Sequence, residues 1–233
     1  MSIYDFKHLL PLTQIVNEKT KKEGVVLHWT AGGSNPLATI DSWNSDPVRV
    51  ATHAVIGRTS TKGDTKYDGK IAQAIDSDLF AYHIGMKTQF DVLNKPHGYY
   101  DRKFIGIEVC GYGPLTLKNG KFYTYVNSVV PDDQVCDLGA GNEYRGFRYY
   151  HDITDAQVKS ICRLIAYYSR ICGFALQAGR VFTAADFRYD VGTANSKTVT
   201  FHSALRADKS DWCPNPKLIA GLNALHANPA AFA

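Results

Sequence analysis

The sequence predicts a single mixed α/β domain. Three observations predict it. Short apolar runs of strand length alternate with stretches of helical period. No Pro/Ser/Gly-rich linker and no internal repeat interrupts them, so 233 residues fit one large domain, residues 1–233, better than two. Hydrophobic residues make up 45% and charged residues 21%, an ordinary balance for a chain that buries a real core. The 14 Tyr and 11 Phe are consistent with a strand-rich fold and an aromatic cleft.

Val25-Val26-Leu27-His28 reads as a short buried strand that runs out into Thr30-Ala31-Gly32-Gly33. Ser34-Asn35-Pro36 supplies a capping residue and then Pro at the first helical position, and this helix ends before Asp46-Pro47. Thr52 to Gly57 is a second strand and Lys70 to Ile75 a third, joined through the polar stretch from Arg58 to Gly69 in a hairpin-like way. Phe104 to Cys110 is the clearest strand, apolar but for one acid. Residues 111–149 show no sustained period and read as an insertion. Thr154-Asp155-Ala156-Gln157 is a capping box, in which hydroxyl and amide each satisfy a backbone donor. Ile161, Leu164, Ile165 and Tyr168 follow at helical spacing up to Cys172-Gly173. A strand near Thr198–Phe201 and a helix over Pro216–His226 complete the chain.

A net charge of +4 without a dense basic stripe argues against nucleic acid. The first eight residues lack a basic start followed by a long apolar stretch, so the expectation is no signal peptide and synthesis in the cytoplasm. No run of 18 apolar residues predicts membrane insertion. Cys110, Cys136, Cys162, Cys172 and Cys213 are odd in number and lack framework spacing. That fits a reduced chain with at least one functional thiol better than a disulfide scaffold.

His28, His202 and Cys213-Pro214 form the chemically richest set. Two imidazoles and a thiolate are a catalytic zinc donor set, three ligands with the fourth position open, and the distance of His28 from the others requires a fold to assemble it. Taken singly, such residues are more often a buried small hydrophobe or a hydrogen-bonded ring. Glu108 sits on the strand face opposite Ile107 and Val109. It reads either as an acid on a solvated face or as a general base beside the metal. Tyr82-His83 in a loop reads as a hydrogen-bonding element toward substrate or as plain loop, and His53 as structural, orienting a ligand at most. Lys209 reads as an oxyanion-stabilising cation or a solvated lysine.

In this order, Gly24-Val25-Val26-Leu27-His28-Trp29-Thr30-Ala31-Gly32, Thr52-His53-Ala54-Val55-Ile56, Ala81-Tyr82-His83-Ile84-Gly85, Ile105-Gly106-Ile107-Glu108, Thr154-Asp155-Ala156-Gln157 and His202…Cys213-Pro214 resemble one family. It is the zinc-dependent N-acetylmuramoyl-L-alanine amidases of the type 2 class, which share a fold with peptidoglycan-recognition proteins. The resemblance covers about residues 24–225. It implies a peptidoglycan-recognition-like fold, a central mixed β-sheet flanked by helices with a zinc at the floor of a groove, and hydrolysis of the amide joining the lactyl group of N-acetylmuramic acid to L-Ala. It implies His28, His202 and Cys213 as zinc ligands and Glu108 and Lys209 as catalytic residues. Trp29, Thr30, Tyr82 and His83 are then the substrate-binding residues. In another branch of the family a Tyr precedes the His of the second strand; Thr52 stands there in this chain, which favours Glu108.

One departure leaves two registers open. The family places its catalytic Lys two positions before the third ligand, and Lys209 stands two before Asp211, not Cys213. Pro214 and the softness of thiolate toward zinc favour Cys213. The implied protein is a bacteriophage endolysin, a monomer whose partner is peptidoglycan and which reaches the cell wall after the membrane is permeabilised. A recycling amidase acting on soluble muropeptides and a non-catalytic peptidoglycan-binding module are the other readings.

Overall fold

The computed structural model describes residues 2–232. Along the chain the elements are β1 (Phe6–Lys7), β2 (Gly24–Trp29), α1 (Pro36–Asn44), β3 (Ala54–Ile56), β4 (Ile71–Gln73), α2 (Tyr99–Lys103) and β5 (Phe104–Val109). There follow β6 (Pro114–Lys118), β7 (Lys121–Tyr123), β8 (Val129–Val130), β9 (Val135–Asp137), β10 (Tyr149–His151) and α3 (Asp155–Cys172). The last are α4 (Val191–Asn195), β11 (Val199–Phe201), α5 (His202–Leu205) and α6 (Pro216–Ala227).

The central sheet runs β1-β4-β3-β5-β2-β11. Every pair is parallel except β3–β4, which the polar connection from Arg58 to Gly69 closes as an antiparallel pair. β2 and β5 are buried along their whole length, as expected of strands covered on both faces. The fold is thus a mixed α/β single domain, as the alternation of strand and helix patterns predicts. Asn35 caps α1 through its side chain, Thr154 and Gln157 form the capping box of α3, and Gly173 ends α3 at φ 73. α3 and α6 pack together, and Gly221 makes this possible, since a Cβ there would lie 2.3 Å from Val158 Cγ1.

Residues 114–151 hold what periodicity missed: a second sheet, antiparallel, ordered β8-β7-β6-β10-β9. Its strands are two to five residues long, too short for alternation to register. Leu115, Val130, Cys136 and Tyr150 turn inward, whereas Leu117 and Val129 face solvent. The sheet is tied to the loops beyond the central strands. Tyr125 donates from its hydroxyl to the Ala31 carbonyl at 2.7 Å, and Arg145 donates to the carbonyls of Ala207 (2.6 Å) and Ser203 (3.0 Å). Among the described residues no helix is long and apolar enough to cross a membrane.

Candidate metal centre

Parallel pairing sets His28 of β2 directly opposite Glu108 of β5, so both side chains leave the same face of the sheet. β11 pairs with β2 in parallel and ends at Phe201, which brings His202, the first residue of α5, beside His28. Asp211 arrives from the loop after α5. His28 Nδ1 lies 3.0 Å from His202 Nδ1, His202 Nδ1 lies 3.1 Å from Asp211 Oδ2, and His28 Nδ1 lies 3.8 Å from the same oxygen. These three residues form the metal-competent group of the described chain.

The hydrogen-bond partners fix which ring nitrogens carry hydrogen. His83 Nε2 faces the Phe104 carbonyl at 3.2 Å, and a carbonyl only accepts, so His83 Nε2 donates and its Nδ1 is a lone pair. That lone pair lies 2.9 Å from His28 Nε2, which therefore donates and leaves His28 Nδ1 bare. His202 Nε2 donates to the Ile84 carbonyl at 2.9 Å, which leaves His202 Nδ1 bare as well. With all three rings neutral, two lone pairs and a carboxylate oxygen face one another with no hydrogen between them. A proton on one nitrogen would relieve only part of this repulsion, whereas a cation relieves all of it. A point about 2 Å from all three atoms exists within their triangle, the distance at which zinc takes nitrogen and oxygen. The donor set fits the metal.

Electrostatics divides the two carboxylates. Burial pushes the Glu108 carboxyl well above its ordinary range, the Asp211 charge pushes it further, and Lys209 opposes both. Burial works against Asp211 too, but positive charge placed at His202, by a proton or by the metal that would replace it, and at Lys209 holds it below the usual carboxylate range. Burial drives the His28 imidazole well below its ordinary value, and the neighbouring His202 and His83 add to this. His83 is lowered to about 4, chiefly by burial. Neutral imidazole is the form that ligates.

Cys213 is not part of the group, against the expectation that it supplies the third ligand. Trp212 adopts φ 29, a left-handed conformation that breaks the extended alternation, so Cys213 does not share the face of Asp211. The Trp212 ring packs on Trp29 with centroids 4.5 Å apart and planes tilted by 32°, while the Cys213 thiol is buried against Cys136 of the second sheet. Burial raises that thiol well above its usual range, away from the thiolate a metal needs. Asp211, two residues after Lys209, is the residue that stands beside the two imidazoles.

The expected groove residues are redistributed. His83 is buried beneath His28 and bonded to it, so it does not line a groove; Gly106 leaves the space, since a Cβ there would meet His83 Nδ1 at 2.9 Å. Tyr82 points the other way, against Phe80 and His97 at centroid distances of 5.9 and 5.2 Å, and does not reach the cluster. Trp29 is buried, its backbone N–H 3.4 Å from Asp211 Oδ2. Thr30 Oγ1 accepts from the N–H groups of Gly32 and Gly111, both at 3.1 Å, and so ties the ends of β2 and β5 together. His53 accepts from the Gly106 N–H at 3.0 Å and donates to the Leu79 carbonyl at 2.9 Å; the partner of His28 is His83 instead. Sequence reasoning missed that pairing, and no local signal separates the two histidines.

A family model described as N-acetylmuramoyl-L-alanine amidase matches residues 18–216, which include every residue of the site. The match puts the chain among the amide-cleaving hydrolases. It belongs to the N-acetylmuramoyl-L-alanine amidase family. Among solved structures, the crystal structure of Staphylococcus aureus hydrolase AmiA in complex with its ligand is similar at 12% identity and a TM-score of 0.51, covering 98% of this chain and 85% of that one. A mutant endolysin from Bacillus subtilis is similar at 13% identity and a TM-score of 0.46, covering 97% and 94%. The PlyG catalytic domain is similar at 13% and 0.47, covering 95% and 89%. At such identities the AmiA likeness supports the fold alone, and the other two carry no argument. No curated protein matches the sequence.

Proposed function

We propose that this amidase is zinc-dependent and hydrolyses the amide between the lactyl group of N-acetylmuramic acid and L-Ala of polymeric peptidoglycan, in the manner of an endolysin. The observation that carries the reading is the convergence of the bare Nδ1 atoms of His28 and His202 on Asp211 Oδ2. His28, His202 and Asp211 would hold the ion. Bound zinc polarises a carbonyl and lowers the pKa of water, which is the chemistry that amide cleavage at neutral pH requires.

Glu108 is the proton carrier. As the carboxylate, with its hold on a proton strengthened by burial, it takes a proton from the attacking water and returns it to the leaving L-Ala amine. Lys209 supplies a positive charge close enough to act on both carboxylates, and it steadies the oxyanion of the tetrahedral intermediate. Asp211, held ionised, remains a ligand throughout. Trp29 and Thr30 support the site from the end of β2, one buried against Trp212 and the other tying β2 to β5.

Two measurements test this together. Purified protein incubated with bacterial sacculi is expected to release free amino groups on L-Ala without new reducing sugar ends; reducing ends would make it a glycosidase. Zinc titration of variants tests the ligand set. Asp211→Ala is expected to weaken zinc by about 100-fold or more, while Cys213→Ala keeps stoichiometric zinc. Zinc lost from the Cys213 variant and kept by the Asp211 variant would restore the thiolate register.

A further inference from the structure

Both imidazoles take their orientation from one tripeptide. His83 supplies the lone pair that accepts from His28 Nε2, and Ile84 supplies the carbonyl that accepts from His202 Nε2. His83-Ile84-Gly85 belongs to no strand or helix, so no backbone ladder holds it. Side chains do. Asp101 Oδ1 accepts the Ile84 N–H at 2.7 Å, and Arg206 Nη1 donates to the carbonyls of Ile84 (3.0 Å) and Gly85 (2.6 Å). The other edge of the Arg206 guanidinium is held by Asp208, at 2.9 Å from Nε and 2.6 Å from Nη2.

We propose that Arg206 is a positioning residue for the metal centre, clamping the 83–85 loop so that the Nδ1 lone pairs of His28 and His202 both point at the cation. Its place in the chain supports this. Arg206 caps α5, and its own N–H bonds the His202 carbonyl at 2.9 Å, so ligand and clamp ride on one turn and meet again at one oxygen, that of Ile84. The guanidinium is buried, and its fork engages two carbonyls and a carboxylate at once, a geometry lysine does not reproduce. Gly85 closes the fit from the loop side: it takes φ 58, and a Cβ there would lie 2.9 Å from Arg206 Nη1. Arg206 touches neither cation nor substrate. Its effect passes through the outer hydrogen bonds of the ligands, which commonly govern metal affinity by 10- to 100-fold.

The proposal rests on the metal reading above, and one experiment separates the two. Zinc affinity is measured by chelator competition for the wild type, His28→Ala, Arg206→Met and Gly85→Ala, with a thermal melt of each metal-free protein. The visible spectrum of each cobalt-loaded protein reports the ligand geometry, which a general loss of stability would not alter. Expected are tight zinc in the wild type, none in His28→Ala, and affinity about 10-fold weaker or more in Arg206→Met and Gly85→Ala, with changed cobalt bands. If Arg206→Met does not fold, Gly85→Ala decides alone. Wild-type affinity and spectrum in the folded variants would overturn the clamp and leave the metal reading standing. A wild type that binds no zinc at His28 would overturn both.

Discussion

Two carboxylates on one site are pushed in opposite directions because their surroundings differ. Asp211 receives the Trp29 N–H and faces His202 and Lys209, which favour its charge. Glu108 sits among apolar strands beside that charge, which favours its proton. Environments that push two acids apart in this way support the proposed roles, Asp211 as the lasting anion and Glu108 as the proton carrier. Glu108→Gln is therefore expected to keep zinc affinity within about 3-fold, since the amide preserves shape and leaves the three ligands in place, yet to lower amide cleavage by about 100- to 10,000-fold. Zinc titration and amino-group release on the same preparation check both halves. Activity within 10-fold of wild type would remove Glu108 from the reaction.

At the scale of elements, close approach is as decisive as apolar pattern. Gly221 of α6 lies over Val158 of α3, with Cys162 Sγ 3.5 Å from where a Cβ would be. Gly221→Ala gains about 1 kcal/mol of helix propensity, but the 2.3 Å approach to a stiff β-branched side chain costs roughly 1–3 kcal/mol. The expected outcome in denaturant is a net loss of about 1 kcal/mol, recovered in the Gly221→Ala, Val158→Ala pair, because neighbours couple. A single variant more stable than wild type would show that the helices have room to separate. The same contrast explains what could be read from the chain. The strands carrying His28 and Glu108 and the capping box of α3 were legible, because burial and local hydrogen bonding leave a residue pattern. The second sheet was not: its strands are short, and its one strong signal was Asn119-Gly120, the turn between β6 and β7, where both residues take positive φ (50 and 72). Nor could residue identity choose between Asp211 and Cys213. Backbone conformation at Trp212 sets which of them stands beside the two imidazoles, and nothing about a tryptophan announces φ 29.

The molecule as a whole buries histidine well beyond the pair facing Asp211, and this sets its response to acid. His53 lies under the central sheet and His151 in the second; burial lowers the first well below its ordinary value and the second to about 2. Above pH ~6.5 the imidazoles are neutral in both folded and unfolded chains and contribute no slope. Below it the unfolded chain takes up protons that the folded chain refuses, so stability falls as pH falls, by roughly 1.4 kcal/mol per pH unit for each such histidine. These two histidines alone then cost on the order of 4 kcal/mol between pH 6.5 and 5, a drop in Tm of about 10 °C for a chain of this size; without metal His28 and His83 add to the drop and the raised Glu108 opposes it. With chelator present, so that metal release adds nothing, melts across that range are expected to show the drop. They should also show one transition, because Cys136 and Tyr150 of the second sheet share a continuous core with Leu27 and Ile107 of the first. His151→Gln should remove a substantial part of the slope. A Tm flat from pH 6.5 to 5 would mean that these rings are already charged in the folded protein, and two separate transitions would mean that the sheets do not stand or fall together.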